Sequence, residues 1–209
     1  MAGRERRNAS TDVRPARYTD NWGMRPSPED VSGSDATRAI EALTFQAITR
    51  ADIPQLAASV AEAFSRYGEF APAGWQPPNT NTQAESLERS IVEQGFWGEA
   101  AFQDALLAGH AAFIPAARRW LRPELDATVA HLLHLFVIPE YWGSGLATQL
   151  TAHAISAAYA RGHTSMCLFV AEGQRRARRF YEREGFTAVG EPFEFGLGLP
   201  AIEYRRALD

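Results

Sequence analysis

Apolar residues recur at regular spacing only from Thr44 onward. Phe45, Gln46, Ala47 and Ile48 alternate as a short strand. Ile53, Leu56, Val60 and Phe64 then fall three or four apart, the signature of one helix face, with Thr49 or Asp52 as the cap and an end near Tyr67. Gly68–Asn81, rich in Pro, Gly and aromatics, reads as a loop. A second helix is predicted over Ala84–Glu93, stopped by Gly95. Phe96–Phe102 and Leu106–Ile114, joined by a turn at Gln103 and Asp104, read as a β-hairpin, and Pro115–Ala127 as a long connection.

The second half is more regular. Val129–Val137 (VAHLLHLFV) is a strand too continuously apolar to face water on one side. Pro139–Gly145 is a glycine turn, and Leu146–Arg161 a helix ended by Gly162. Ser165–Val170 is a buried strand and Gln174–Glu184 a helix ended by Gly185. Phe186–Gly190 and Ile202–Ala207 are the last strands, with Glu191–Leu199 a loop between them. Helices follow strands singly, which predicts an α/β fold, a mixed sheet with helices on both faces.

Residues 1–43 lack this periodicity. They hold seven Arg, seven acidic residues and three prolines, with few large apolar side chains. Such a segment buries too little apolar area to offset its ordering entropy. A disordered N-terminal extension over 1–43 is therefore expected, with at most a helical turn over Asp35–Leu43, leaving 44–209 as one domain.

Composition narrows the function classes. The chain carries 21 basic residues, all of them Arg, against 25 acidic ones, a net −4 that argues against nucleic-acid binding by bulk charge. The single cysteine, Cys167, excludes an intramolecular disulfide and a cysteine zinc cluster, and reads as an inert buried thiol. The five histidines show no ligand spacing with carboxylates, so no metal is expected. No apolar run reaches membrane-spanning length, so no membrane span is expected, and the N-terminus has no apolar h-region. The cytoplasm is the expected location.

The chemistry concentrates in two segments. Val137–Thr148 (VIPEYWGSGLAT) joins a buried strand directly to a helix through a turn that needs glycine angles at Gly143 and Gly145. A helix starting there presents unpaired N–H groups and its positive dipole end, an anion site that a pyrophosphate fits. The second segment, Phe169–Phe186 (FVAEGQRRARRFYEREGF), follows at a fixed separation. Together they resemble the GCN5-related N-acetyltransferase (GNAT) family. Val137–Ala147 matches its signature V-x-P-x-Y-[QR]-G-x-G-x-[GA], with Trp142 in place of Gln or Arg. Gln174–Phe186 matches N-x-x-A-x-x-F-Y-x-x-x-G-F, with Gln174 in place of Asn.

The resemblance spans about residues 44–209 and implies a mostly antiparallel sheet of about seven strands in the acyl-CoA N-acyltransferase fold. It implies acetyl-CoA as cosubstrate, with its pantetheine arm against the backbone near Phe136 and Val137. The diphosphate would lie on the N–H groups of Trp142, Gly143, Ser144, Gly145, Leu146, Ala147 and Thr148, with Gln174 nearby. Arg175, Arg176, Arg178 and Arg179 are either further phosphate partners or a solvated helix face. The implied reaction is direct attack of a primary amine on the thioester, which needs a base or a water chain to deliver the neutral amine. His131 falls where that base is often found. His134, three residues on, faces the other side of a regular strand, unless a bulge intervenes. Tyr181 is at the position of the acid that protonates the departing thiolate.

The acceptor is a small-molecule amine or a peptide or protein amine, and a homodimer is compatible with the pattern. Ser65–Asn81, Pro115–Ala127 and Glu191–Leu199 are the expected acceptor walls. Phe70, Trp75, Trp97 and Trp120 would supply an aromatic lining, and Glu69, Glu124 and Glu194 an attraction for cations. A CoA-binding module without turnover is the alternative, and it would need neither Tyr181 nor a base.

Overall fold

The structure, a computed structural model, describes residues 42–118, 128–194 and 196–209. The expected N-terminal extension, its helical turn up to residue 41, and most of the 115–127 connection, including Trp120 and Glu124, lie outside the described residues. Seven strands form one sheet: β1 (Thr44–Ala47), β2 (Trp97–Gln103), β3 (Leu106–Pro115), β4 (Val129–Val137), β5 (Ser165–Ala171), β6 (Thr187–Glu194) and β7 (Pro200–Ala207). Their order is β1-β2-β3-β4-β5-β7-β6, and only β4 and β5 run parallel. The helices among the described residues are α1 (Ile53–Ser65), α2 (Thr80–Ile91), α3 (Leu146–Ala160) and α4 (Arg175–Arg183).

Strand alternation sorts the side chains onto two faces. Ala111, Phe113, Ala130 and Leu132 form the main core with Leu146, Leu150, Ala154 and Ala158 of α3. Ala100, Phe102, Leu107 and Ala112 face the other way and meet Ile53, Leu56 and Ala57 of α1 and Leu87 of α2. Helices thus cover both faces of the mixed sheet, as the element order predicts.

Local chemistry shifts several boundaries. Thr49 and Asp52 cap each other, with the Thr49 N–H and hydroxyl both donating to Asp52 Oδ2 at 2.7 Å. That closes a short 3₁₀ turn before α1. The helix stops at Ser65 rather than Tyr67, and the chain tightens into a 3₁₀ turn over Arg66–Glu69. The next helix starts at Thr80, inside the stretch expected as loop, because Asn79 Oδ1 accepts from the Thr82 N–H at 2.9 Å. Strand β6 continues through Glu194 where a loop is expected, with an irregular register between Val189 and Phe193 around Gly190 and Pro192. It is an edge strand, the place in a sheet that tolerates proline.

Candidate active site

Strands β4 and β5 pair only over Val129–His131 and Ser165–Cys167. Beyond those rungs β5 turns to β7 and β4 stays with β3, so the two parallel strands separate. The gap opens into a cleft of about 670 Å³ lined by Leu132, Leu135, Phe136 and Val137 of β4, Phe169 and Val170 of β5, and Tyr181 of α4.

The glycine turn stands at the mouth of this cleft. After β4, Ile138 donates to Ala108 O at 3.0 Å and Pro139–Tyr141 form a 3₁₀ turn. Gly145 is the N-cap residue of α3 with φ +96°, an angle that a side chain would strain. Ser144 Oγ donates to Tyr141 O and accepts from the Leu146 N–H. Gly143, Gly145, Ala147 and Thr148 line the cleft, where the first turn of α3 has N–H groups without intrahelical acceptors. The turn is an anion cradle set at the end of an apolar slot. Thr148 Oγ1 donates to Glu184 at 2.8 Å and ties the start of α3 to the end of α4.

Trp142 is more than a tolerated departure from the motif. Its indole N–H donates to Val137 O at 2.8 Å, and the ring lies under the Arg176 guanidinium at 3.9 Å and near Arg66 at 5.2 Å. Arg176 and Arg179 line the cleft. Arg178 does not, because it is engaged with the Tyr204 hydroxyl at 3.1 Å and Glu172 O at 3.2 Å.

The histidines depend on a bulge. Register on β3 runs from Leu135 opposite Ala111 and His134 opposite Ala112 to Leu132 opposite Phe113, which leaves Leu133 as the extra residue. His131 pairs with Ile114, two residues from Ala112, so both histidines occupy the same face of the sheet, toward α1. On a regular strand they would oppose each other. His131 is 2% exposed, with Nδ1 3.3 Å from Cys167 Sγ and its ring edge-on to Phe169 at 4.5 Å. His134 is half-buried beside Phe136 and His110. His110, which no local pattern singles out, sits on β3 with its ring stacked on Phe136 at 5.5 Å. It is fully buried, and desolvation, then the nearness of His134, hold its pKa well below the usual imidazole range.

Tyr181 projects from α4 among Phe180, Phe186 and Tyr204. Burial, then the neighbouring Tyr67, push its pKa far above the ordinary phenol value. It is therefore protonated at any working pH and equipped to donate. Gln174 stands before α4, near Tyr67. Sequence reasoning placed Tyr67 within the Ser65–Asn81 wall but did not single it out as a cleft residue. The signal was present, because Tyr67 lies three residues beyond Phe64 and continues the apolar stripe.

The expected acceptor walls divide. Phe70 and Trp75 pack behind Tyr67, at 4.9 and 6.2 Å between ring centroids. Trp97 instead stacks on Phe113 in the main core at 5.2 Å. Glu69 and Glu194 are exposed and outside the cleft lining. Among the described residues no group of His, Cys, Asp and Glu is arranged to hold a metal ion, and no helix is long and apolar enough to cross a membrane.

Residues 60–186 match the model of the acetyltransferase (GNAT) family. The mycothiol acetyltransferase of Beutenbergia cavernae is 36% identical over 81 residues, 39% of this chain and 27% of that protein. The chain thus aligns with about a quarter of that relative's length. Two solved structures share the fold. The PaiA N-acetyltransferase from Thermoplasma acidophilum in complex with coenzyme A has a TM-score of 0.57 at 18% identity, over 77% of this chain and 97% of that one. An acetyltransferase from Salmonella typhimurium with its cofactor acetyl-CoA has a TM-score of 0.60 at 18% identity, over 80% of this chain and 94% of that one.

Proposed function

The chain belongs to the GNAT acetyltransferase family, and from that membership we propose that it moves an acetyl group from acetyl-CoA to a primary amine by direct attack in a ternary complex. The observation that carries this reading is the separation of β4 from β5 with a glycine-turn anion cradle at its mouth and a protonated tyrosine inside. The donor set fits the cosubstrate. An apolar slot with strand backbone along one wall suits a pantetheine arm, and the amides of Gly143, Gly145, Ala147 and Thr148 suit a diphosphate, whereas those of Trp142, Ser144 and Leu146, also expected to serve, are already taken by Pro139 O, Tyr141 O and Ser144 Oγ. In this reading Phe136 and Val137 hold the arm, and Arg176, stacked on Trp142, meets the phosphates.

Acetyl-CoA, when bound, supplies an electrophilic acyl carbon and a thiolate leaving group. The chain's own residues supply the proton transfers. The amine must be neutral to attack; neither His131 nor His134 lines the cleft, so a base from this strand would act through water, and His134 is the better placed of the two. It is half-buried near Phe136, whereas His131 is packed against Cys167 and Phe169 with little access for a substrate. His131 then fixes the strand beneath the bulge. Tyr181 keeps its proton until a stronger base than water appears beside it, as a departing thiolate does.

An amine panel, covering small-molecule and peptide acceptors and followed by thiol release from acetyl-CoA, tests the activity. Transfer to no member, with CoA binding retained, would return the protein to the binding-module reading. Tyr181→Phe should lower kcat by about 100-fold, the low end for general acid catalysis, and leave acetyl-CoA affinity within about twofold. A kcat loss under about threefold, with product release shown not to be limiting, would make Tyr181 a structural aromatic.

A further inference from the structure

The deep end of the cleft holds a second tyrosine that no motif accounts for. Tyr67 sits in the 3₁₀ turn after α1, and its ring is clamped on three sides. Phe64 meets it edge-on at 4.9 Å, Phe70 leans on it at 4.9 Å, and Trp75 stacks on it at 6.2 Å and 20°. The clamp is itself anchored. The Trp75 indole N–H donates to Leu197 O at 2.7 Å, and Phe70 lies over Gly173, where a Cβ would come within 2.6 Å of the ring. A ring held this way cannot swing its hydroxyl out of the cleft.

Tyr67, Gln174 and Tyr181 all line the cleft, whose walls at that level are the apolar Leu132, Leu135 and Phe169. Burial raises the Tyr67 pKa, and the Gln174 side chain beside it pulls more weakly the other way. Tyr67 therefore keeps its proton, and its O–H is available to donate into the cleft it lines. Gln174 also stands where the family signature has Asn.

Resting on the acetyl-CoA reading above, we propose that Tyr67, clamped by its aromatic neighbours beside Gln174, is a substrate-contacting hydroxyl that donates to the carbonyl oxygen of the bound acyl group, while Tyr181 serves the sulfur. The contact is a hydrogen bond, and the proton stays on Tyr67. As the amine adds to the carbonyl carbon, charge gathers on that oxygen and the bond strengthens.

The test uses calorimetric titration of the full chain with two probes, acetyl-CoA and CoA, which differ by the acyl group. Tyr67→Phe should weaken acetyl-CoA binding about three- to tenfold, the worth of one hydrogen bond, and change CoA binding by less than about twofold. Gln174→Asn should shift the acetyl-CoA to CoA affinity ratio in the same direction by a smaller factor, and it carries the test alone if Tyr67→Phe does not fold. Equal weakening for both probes, or no change for either, would overturn the proposal and leave Tyr67 as a wall of the cleft. Wild-type protein that binds neither probe would instead overturn the acetyl-CoA reading itself, and this assignment with it.

Discussion

Along β4, Val129–His131 pair with β5 and are buried, whereas residues from Leu133 to Val137 have β3 on one side, no strand on the other, and half-buried side chains. The two halves have nearly the same composition, each with one histidine among Val, Ala, Leu and Phe. Their difference therefore comes from the partners. The closed half is a rung of the core, continuous with Phe113, Met166 and Leu168, all essentially inaccessible. The open half gives up one neighbour and gains a cleft, and the extra residue Leu133 at the junction re-aims the histidines. One strand thus carries stability at one end and chemistry at the other.

That division can be broken by mutation. The largest effect should come from Phe113→Ala, opposite Leu132 in the closed half. Removing a fully buried ring should cost about 3–5 kcal/mol and lower Tm by roughly 10 °C. The folded fraction should still bind CoA normally. A parallel loss of affinity, read by titration below the melt, would mean that the halves are not separable.

Next in size is Gly145→Ala at the mouth of the open half. Its φ of +96° makes a side chain cost about 1–2 kcal/mol, and displacing cradle amides should weaken CoA more than about tenfold. Unchanged affinity in a folded variant would put the anion site elsewhere.

The smallest effect concerns His110, which flanks the open half opposite Phe136. Its folded-state pKa lies well below the ordinary 6.5, so the unfolded chain binds a proton that the folded protein refuses. Its contribution to stability is complete above about pH 6.5 and is lost as pH falls below it, at no more than about 1.4 kcal/mol per pH unit. His110→Leu should flatten the acid limb of Tm against pH. An acid limb as steep as that of wild type would show that other groups set it.

How legible these halves were in the sequence follows from the same physics. The apolar stripe of Ile53, Leu56, Val60 and Phe64 and the positive-φ turn at Gly145 each leave a local pattern, so α1 and the anion cradle could be read directly. The start of α2 was hidden because its cap, Asn79, lies in a Pro- and Asn-rich stretch that also reads as loop. Strand β6 is exposed along nearly its whole length and contains Gly190 and Pro192, so neither burial alternation nor propensity marks it. The bulge was raised only as a possibility, because Leu133 is chemically like its neighbours and only the register against β3 identifies it. The meeting of Tyr67 with Gln174 joins segments far apart in the chain, and no local pattern encodes such a contact.

The open half of β4 is in effect a sheet edge placed inside the molecule. An unpaired edge is ordinarily a hazard, because any extended chain can add to it and begin aggregation. Here the edge borders a cleft whose walls among the described residues include the clamped Tyr67 and α4, so a polypeptide bearing side chains meets those walls before it can form a rung. A thin, unbranched guest would not. The protein keeps its adhesive edge by rationing access to it, and the residues that select the guest are the same ones that protect the protein from its own kind.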